Sequence, residues 1–412
     1  MTTMLLIADV GGLGRDCRWH VGDEAMLAAD LAWLRGEVPG IDLVVTSTAP
    51  AWTHRLYGVR ATDFLDFGDD TGAGAARDMC EAIGTGKAAG SADGDALATA
   101  AGHLRETLAA VDSVLFCGAG NLSSAFPNRL YERIAAARLA TAMGKPYAFS
   151  GQTVGPLTNG DAAQLRKVLV GAAFVGARDP ASAELLGELG VRAVPMQDDA
   201  LHVPAAAAGA ADSAPAGGAG LGAADGTRRI GVTLHQSSLA RHKLDIARIA
   251  EAIGRVAVDM NATVRFIPHF RGPADRWSDL EQGAELASRL AVPVEFVPWE
   301  PADRVRTDTT ACSLVISTRY HPLVFAACAG IPAIGLYQDA YHRAKFSGVL
   351  TRREACQQMF PASADGSRQA AEAGLALAGG SQAGEFIEPH RRMIEQDAEI
   401  RRNCLATLGH VR

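Results

Sequence analysis

Residues 316–323 read Ile-Ser-Thr-Arg-Tyr-His-Pro-Leu, and they join segments of different kinds. The apolar run at residues 313–316 predicts a β-strand, and the small-residue run at residues 323–329 predicts a helix that ends at a glycine. Residues 331–336 then predict another strand. A strand, a helix and a second strand in this order are the repeating unit of an α/β fold.

Arg319 and His321 lie where this strand ends and this helix begins. In an open α/β sheet, ligands bind at the carboxyl ends of the strands. The planar donor fork of an arginine suits a phosphate or a carboxylate, and a histidine can move a proton near neutral pH. The pair therefore predicts an anionic substrate and a proton-transfer step.

The same alternation of strand-like and helix-like segments runs along most of the chain. It starts at the apolar run Met4–Val10, and it restarts at Ile230–Leu234 after an interruption. The interruption, residues 205–227, consists mostly of alanine and glycine. Such a segment cannot bury a core of its own, so it predicts a linker or a mobile loop.

We therefore predict an α/β protein with two facing Rossmann-like domains and mostly parallel sheets. The predicted N-terminal domain spans residues 1–204, and the predicted C-terminal domain spans residues 228–380. The tail at residues 381–412 places apolar residues at helical spacing among many charges, which predicts an amphipathic helix. In a fold of two facing domains, such a helix can cross back onto the N-terminal domain.

Composition and charge narrow the class of protein. The chain has 412 residues, of which 48% are hydrophobic and 21% are charged, and its formal net charge is −7 at pH 7. These values are typical of a globular protein and argue against a nucleic-acid partner. No apolar run reaches the roughly 20 residues that span a bilayer. Seven scattered cysteines without a C-x-x-C pattern predict a cytoplasmic location, and the sequence is compatible with an oligomer.

Two glycine-rich segments that follow strands are candidates for binding a substrate. The first contains Asp23 and Glu24 at the start of a predicted helix, and the second, residues 117–122, contains Gly118 and Gly120. Glycines let a backbone approach a ligand closely, and the two acids suit either the helix dipole or a sugar hydroxyl group. Neither segment has the spacing of a dinucleotide-binding fingerprint or of a P-loop.

Other candidates stand at the ends of later strands. Arg178 separates a predicted strand from a predicted helix, and we expect it to face the same cleft as Arg319 and to bind an anion. Gln152 lies in a turn rich in Gly and Pro, which is either turn chemistry or part of the site. Asp199 follows the last strand of the N-terminal half and is the more structural-looking of the acids around it.

His235 and His269 follow the first and second strands of the predicted C-terminal domain. Each suits a loop position better than a catalytic one, and His235 is favoured for the site because it stands at the strand-end level. The sequence has no H-E-x-x-H pattern and no Cys/His cluster with the spacing of metal ligands, so we expect no metal. It also lacks the G-x-S-x-G elbow of a serine nucleophile.

Taken in order, the short motifs of this chain resemble those of the polysaccharide pyruvyl transferase family. The resemblance runs from about residue 5 to about residue 348, and its departures include His20, which stands where the family usually has Asn. The motifs that carry it are Gly22-Asp23-Glu24-Ala25, Gly118-Ala119-Gly120, Gly151-Gln152-Thr153-Val154-Gly155-Pro156, Ala177-Arg178-Asp179, Asp199-Ala200 and Ser317-Thr318-Arg319-Tyr320-His321.

The resemblance implies a GT-B-like fold and a transfer of pyruvate from phosphoenolpyruvate onto two hydroxyl groups of a sugar, which gives a cyclic ketal. It implies that Arg178, Arg319 and His321 line the phosphoenolpyruvate site, with no cofactor beyond this donor substrate. It places the acceptor on the N-terminal domain and phosphoenolpyruvate on the C-terminal domain. We assign the arginines as anion clamps and His321 as general acid or phosphate partner. Asp23 and Asp199 are weaker candidates for acceptor binding or for a base.

Two other functions stay open at this point. A GT-B-like glycosyltransferase would use the two arginines to hold the diphosphate of a nucleotide-sugar donor. A carbohydrate-binding relative would have kept the cleft and lost turnover. The joint presence of Arg178, Arg319 and His321 favours an enzyme over the second alternative.

Overall fold

The chain divides into two units, and each has its own parallel β-sheet. The computed structural model describes residues 2–14, 17–85, 92–202, 227–275, 277–350, 357–379 and 387–410. Unit 1 consists of Met1–Gly12, Met26–Asp199 and Asp397–Arg412, and unit 2 consists of Leu13–Ala25 and Ala200–Gln396. The predicted linker at residues 205–227 lies outside the described residues except for its last one.

Unit 1 is built on an eight-stranded sheet in which every paired strand is parallel to its neighbour. Its strands are β1 (Thr3–Val10), β3 (Asp42–Ser47), β4 (Arg60–Asp63), β5 (Ser113–Phe116), β6 (Ala119–Leu122), β7 (Tyr147–Val154), β8 (Phe174–Ala177) and β9 (Val194–Pro195). They lie in the order β4-β3-β1-β5-β7-β8-β9, and β6 pairs with β7.

The central strands of unit 1 are continuous apolar runs because both faces of a parallel sheet are covered. In the register of β1 and β5, Leu6 lies opposite Leu115, and both are fully buried. The helices that precede or connect these strands are α1 (Val21–Glu37), α2 (Pro50–Tyr57), α3 (Ala73–Thr85), α4 (Ala92–Ala110), α5 (Pro127–Ala142), α6 (Asn159–Leu169) and α7 (Pro180–Glu188). The first five residues of α1 count with unit 2.

Unit 2 has a six-stranded parallel sheet in the order β13-β11-β10-β14-β15-β16. These strands are β10 (Arg228–Thr233), β11 (Ala262–Phe266), β13 (Val294–Phe296), β14 (Leu314–Ser317), β15 (Ala333–Tyr337) and β16 (Gln357–Pro361). A separate antiparallel pair joins β2 (Trp19–His20) to β12 (Phe270–Arg271), so the N-terminal loop contributes a short strand to unit 2.

Within the described residues, five helices of unit 2 connect successive strands of its sheet, as parallel pairing requires, and a sixth follows the last strand. They are α8 (Ile246–Met260), α9 (Leu280–Arg289), α10 (Ala302–Thr310), α11 (Tyr320–Cys328), α12 (Ala340–Leu350) and α13 (Ala364–Gly379). The last helix, α14 (Ile387–Thr407), begins in unit 2, and its residues from Asp397 onward count with unit 1. The predicted α/β class with mostly parallel sheets is confirmed.

Two local expectations differ from the structure. The segments around Gly120 and Gln152 read as loops, yet they form β6 and the second half of β7. Every residue of β7 is buried, and β6 and β8 pair with it on either side, so backbone pairing outweighs the turn preference of the glycines. Close packing and hydrogen bonding across three strands therefore extend a strand that local residue preferences would have ended.

Candidate active site

Arg319 follows β14 and is the N-cap residue of α11, as the strand-to-helix junction predicts. Asp279 holds its guanidinium group, with one carboxylate oxygen 2.7 Å from Nε and the other 2.6 Å from Nη2. Asp279 is fully buried, and it also accepts hydrogen bonds from the backbone N–H groups of His269 and Phe270, each at 3.0 Å. No described residue accepts a hydrogen bond from Nη1 of Arg319, so this nitrogen is the part of the fork that can bind an anion.

His235 lies beside Arg319 because β10 and β14 are neighbours in a parallel sheet and their carboxyl ends meet at one edge. Its Nδ1 is 3.0 Å from Nη2 of Arg319. Burial and then the positive charges of Arg319, His342, His20 and Lys345 hold the pKa of His235 well below its usual value. The ring is therefore neutral at pH 7 and accepts a hydrogen bond from Arg319.

His321 lies in the first turn of α11 and is only 4% exposed. Its ring packs directly on Gly22, where an added Cβ would overlap the imidazole. The ring centroids of His20 and Tyr320 lie 6.1 Å and 5.1 Å from that of His321. The glycine of the Gly-Asp-Glu motif is therefore needed to make room for the imidazole.

The side chains of His20 and Asp23 are in contact near His321, with 2.8 Å between His20 Nδ1 and an Asp23 carboxylate oxygen. The ring of Phe270 lies 5.6 Å from that of His20, and the Arg319 guanidinium stacks over the same phenyl ring at 5.2 Å. Asp23 thus belongs to the predicted site. We call this group the unit-2 cluster; it consists of His20, Asp23, His235, Asp279, Arg319 and His321.

In unit 1, Asp199 is fully buried and accepts three hydrogen bonds. They come from the backbone N–H of Gly118 at 2.8 Å, the hydroxyl of Ser150 at 2.7 Å and Nη1 of Arg401 at 2.5 Å. An added Cβ at Gly118 would overlap the Asp199 carboxylate. The geometry of both residues is that of a structural centre in unit 1.

Arg178 lies between β8 and α7, and its side chain is 1% exposed. Its Nη1 forms an ion pair with Asp198 at 2.6 Å, and its Nε donates to Thr153 Oγ1 at 2.9 Å. The next residue, Asp179, caps α7 by accepting from the backbone N–H of Ser182 at 2.8 Å. The structure therefore holds Arg178 in a buried ion pair within unit 1, and Arg319 and His321 lie in unit 2.

Of the remaining candidates, Gln152 and Glu24 are enclosed by protein, and Gly120 is partly exposed. Gln152 is fully buried in β7, where its Nε2 donates to the carbonyl of Cys117 at 2.8 Å. Gly120 lies within β6 of unit 1, and Glu24 is fully buried in unit 2. Of the predicted substrate-binding residues, Asp23 and His235 are the ones that join Arg319 and His321 in the unit-2 cluster.

Two residues that organise these groups have no signal in the sequence. Asp279 lies 40 residues before Arg319, and Arg401 lies 202 residues after Asp199. Neither stands in a recognisable motif, and single acidic or basic residues near helices usually lie in solvent. Only the folded chain brings each one to its partner.

The described part of the chain contains no group of three or more His, Cys, Asp or Glu side chains placed to hold a metal ion. Within the same residues, none of the helices combines the length and the apolar character needed to cross a membrane.

This chain is similar to a known family in sequence and to solved structures in fold. The sequence model of the polysaccharide pyruvyl transferase family matches residues 20–339. No functionally curated protein matches the sequence significantly. Solved structures of low sequence identity share the fold, and the GT-B fold of these neighbours agrees with the predicted architecture.

Three of these structures are of similar size to this chain. UDP-GlcNAc 2-epimerase from Neisseria meningitidis, bound to UDP-GlcNAc, has 13% identity and a TM-score of 0.56, over 96% of this chain and 99% of that chain. MnaA from S. aureus, with UDP, has 11% identity and a TM-score of 0.57, over 96% and 98%. HepE from Anabaena, with UDP and glucose, has 13% identity and a TM-score of 0.55, over 97% and 99%.

Proposed function

Because this chain belongs to the polysaccharide pyruvyl transferase family, we propose that it transfers pyruvate from phosphoenolpyruvate to two hydroxyl groups of a sugar-containing acceptor, forming a cyclic ketal. One observation carries the proposal. No described residue engages Nη1 of Arg319, and His321 lies in the first turn of the helix that Arg319 caps, after the carboxyl end of β14. This combination suits a small, highly charged anion that must accept a proton.

The reaction needs a proton donor and a group that binds the leaving phosphate. In the proposed step, His321 donates a proton to the CH₂ carbon of phosphoenolpyruvate, which becomes a methyl group. The neighbouring carbon acquires positive charge, and a sugar hydroxyl oxygen bonds to it. The bond from that carbon to the phosphate oxygen breaks, the electron pair leaves with phosphate, and the second sugar hydroxyl takes the vacated position.

The protons balance in this scheme. The two hydroxyl groups release two protons, of which one restores His321 and the other ends on the phosphate. Arg319 would stabilise the negative charge that grows on the departing phosphate, and this effect is largest in a site shielded from water. Asp23, paired with His20, is the proposed group for positioning an acceptor hydroxyl.

The family motif supports Arg178 as a second anion-binding arginine. Its ion pair with Asp198 occupies Nη1, so a bound anion would have to share the guanidinium with this carboxylate. Asp199, with three donors already on its carboxylate, is better explained as a support for this region than as a base.

The alternative is a glycosyltransferase-like enzyme with a nucleotide-sugar donor. It is favoured by one observation, that proteins with this fold have been solved with UDP or UDP-GlcNAc bound. At 11–13% identity, this similarity is one of fold, and a fold can host many functions.

A thermal-shift experiment separates the two donors. Wild-type protein and an Arg319→Lys variant would be melted with phosphoenolpyruvate, with UDP-GlcNAc and with a GDP-sugar. Lysine keeps a positive charge beside the buried Asp279 and removes the planar guanidinium group that binds an anion. Arg289→Lys is the matched control, because this unit-2 arginine is 45% exposed and, among the described residues, pairs only with Glu285 on its own helix.

We expect phosphoenolpyruvate to raise the melting temperature of wild type and of Arg289→Lys, and to have a much smaller effect on Arg319→Lys. A ligand at a hundred times its Kd stabilises the folded state by about 2.7 kcal/mol. A shift with nucleotide sugars and none with phosphoenolpyruvate would instead support the glycosyltransferase. Release of inorganic phosphate in the presence of sugars with adjacent hydroxyl groups, followed by ³¹P NMR, would then identify acceptors.

A further inference from the structure

His269 is a buried histidine whose ring no part of the scheme above uses. It is 1% exposed, and no described residue forms a hydrogen bond with its Nδ1 or its Nε2. Its backbone, in contrast, is anchored at both ends. The N–H donates to Asp279 at 3.0 Å, and the carbonyl accepts from the N–H of Val21 at 3.0 Å.

Buried polar groups in folded proteins nearly always have a hydrogen-bond partner, and an exception calls for an explanation. Two unengaged nitrogens on one ring are a stronger exception than a single atom. An apolar side chain of similar size would fill the same space without leaving a buried donor and a buried acceptor unsatisfied. The imidazole therefore points to a partner that arrives from outside the chain.

The surroundings of His269 place it in the same region as the unit-2 cluster. Asp279, which binds its backbone, also binds Arg319. The ring of Phe325 lies 5.7 Å from that of His269 and 6.4 Å from that of His321. Phe325 is thus a common neighbour of both imidazoles.

We propose that His269 contacts the anionic donor substrate directly, through a hydrogen bond from its ring N–H to a phosphate or carboxylate oxygen. This inference rests on the proposed function, because it takes phosphoenolpyruvate as the donor. A neutral imidazole has one N–H to give and one lone pair to accept with, so it can bind an oxyanion while its other nitrogen accepts from a hydroxyl group or water.

The electrostatics agree with a neutral ring. Burial and then the positive charges of Arg319 and His20 hold the pKa of His269 well below its usual value. His269 therefore adds a donor without adding a charge, and Arg319 supplies the charge. This division of roles suits a ligand that carries several oxygens around one phosphorus or carboxyl carbon.

Isothermal titration with phosphoenolpyruvate tests the inference, with inorganic phosphate as a second probe. Wild type would be compared with His269→Leu, which is apolar and of similar size, and with His269→Asn, which keeps an N–H donor. His103→Asn is the control, because this histidine lies in unit 1 and is 47% exposed. The melting temperature of each variant without ligand is recorded beside each titration.

We expect His269→Leu to bind phosphoenolpyruvate about tenfold more weakly, which corresponds to 1.4 kcal/mol. Its ligand-free melting temperature should equal or exceed that of wild type, because no internal hydrogen bond is lost. His269→Asn should be intermediate, and it keeps the test decisive if the leucine variant folds poorly. His103→Asn should bind as wild type does.

Unchanged binding by His269→Leu, together with a lower ligand-free melting temperature, would overturn the inference and indicate that a buried water occupies the ring nitrogens. In that case the proposed function would stand, because wild type still binds the donor. Wild-type protein that binds no phosphoenolpyruvate would overturn the proposed function, and with it the inference.

Discussion

Asp279 accepts hydrogen bonds from both Nε and Nη2 of Arg319, at 2.7 Å and 2.6 Å, so one edge of this guanidinium is committed to the protein. The pair makes Arg319 rigid and leaves Nη1 to the ligand. It also makes the arginine a structural residue, because Asp279 is fully buried. A loss of activity on substitution must therefore be separated from a loss of stability.

Removing Arg319 alone should destabilise the protein strongly. Arg319→Ala leaves the buried Asp279 carboxylate without its cation, and breaking a buried pair in this way costs about 3–5 kcal/mol. Asp279→Asn in the same chain removes that unpaired charge, so the double variant should lose less than the sum of the single variants. Urea denaturation of the four proteins in this cycle measures the coupling. Strictly additive losses would show that the two side chains do not depend on each other.

Gly22→Ala should disrupt the site and leave the fold largely intact. The new Cβ overlaps the ring of His321, so the imidazole must move, and misplacement of a reacting group by about 1 Å can cost 100-fold in rate. Gly36→Ala is the control in the same helix, because nothing lies within 4 Å of a Cβ there. It should raise stability by about 0.5–1 kcal/mol and leave turnover unchanged. Equal turnover in both variants would contradict the proposed position of His321.

Arg401→Met should destabilise unit 1. Arg401 is 1% exposed and contacts the buried carboxylates of Asp30 and Asp199, each at 2.5 Å. Its removal leaves two buried acids without a cation, for which we expect a loss of about 3–5 kcal/mol in the free energy of unfolding. The neighbouring Arg402→Met should change stability by less than about 0.5 kcal/mol, because that side chain is 53% exposed. Comparable losses in both variants, measured by chemical denaturation, would refute this ranking.

Stability should depend on pH through Asp30. Burial and then the charge of Asp199 raise the pKa of Asp30 to about 7, against the opposing effect of Arg401. The folded protein thus keeps a proton on Asp30 that the unfolded chain releases above about pH 4. The contribution of this group is therefore full below pH 4 and is lost as the pH rises toward 7, at up to about 1.4 kcal/mol per pH unit.

Asp30→Asn removes the titrating group and should flatten this part of the profile. The free energy of unfolding of wild type, minus that of the variant, should fall as the pH is raised from 4.5 to 7. Denaturation curves at three pH values within this range are sufficient. A difference that stays constant with pH, or that grows, would show that the pKa of Asp30 is not raised in the folded protein.

The fold could be predicted from the sequence because the features that decide it are local. Apolar runs, glycine stops and strand-to-helix junctions appear in the order in which they fold, so the α/β class and the position of Arg319 at a strand end were predictable. Local features do not predict structure where pairing between strands determines it, as in β6 and β7. There, hydrogen bonding between distant segments outweighs the turn preference of glycine. No local sequence pattern indicates that this pairing will occur.

The candidate site shows the same limit. The positions of these residues could be predicted from local motifs: Arg319 and His321 at a strand-to-helix junction, Asp23 at a helix start and His235 just beyond a strand end. The role of Asp279 could not be predicted, because the sequence does not indicate that a carboxylate 40 residues away will contact Arg319. For Asp199, a structural role could be foreseen, whereas its arginine from the far end of the chain could not.

The division of the chain into interleaved segments has a consequence for how such proteins can change. Unit 1 is assembled from three stretches and unit 2 from two, and β2, which pairs with β12, comes from the N-terminal loop. A fragment that stops at Asp199 loses Arg401, and a fragment that starts at Ala200 loses Gly22. Neither half can be exchanged as a cassette by a single crossover in the gene. Exchange of one whole unit would need a crossover at each of its four boundaries along the chain.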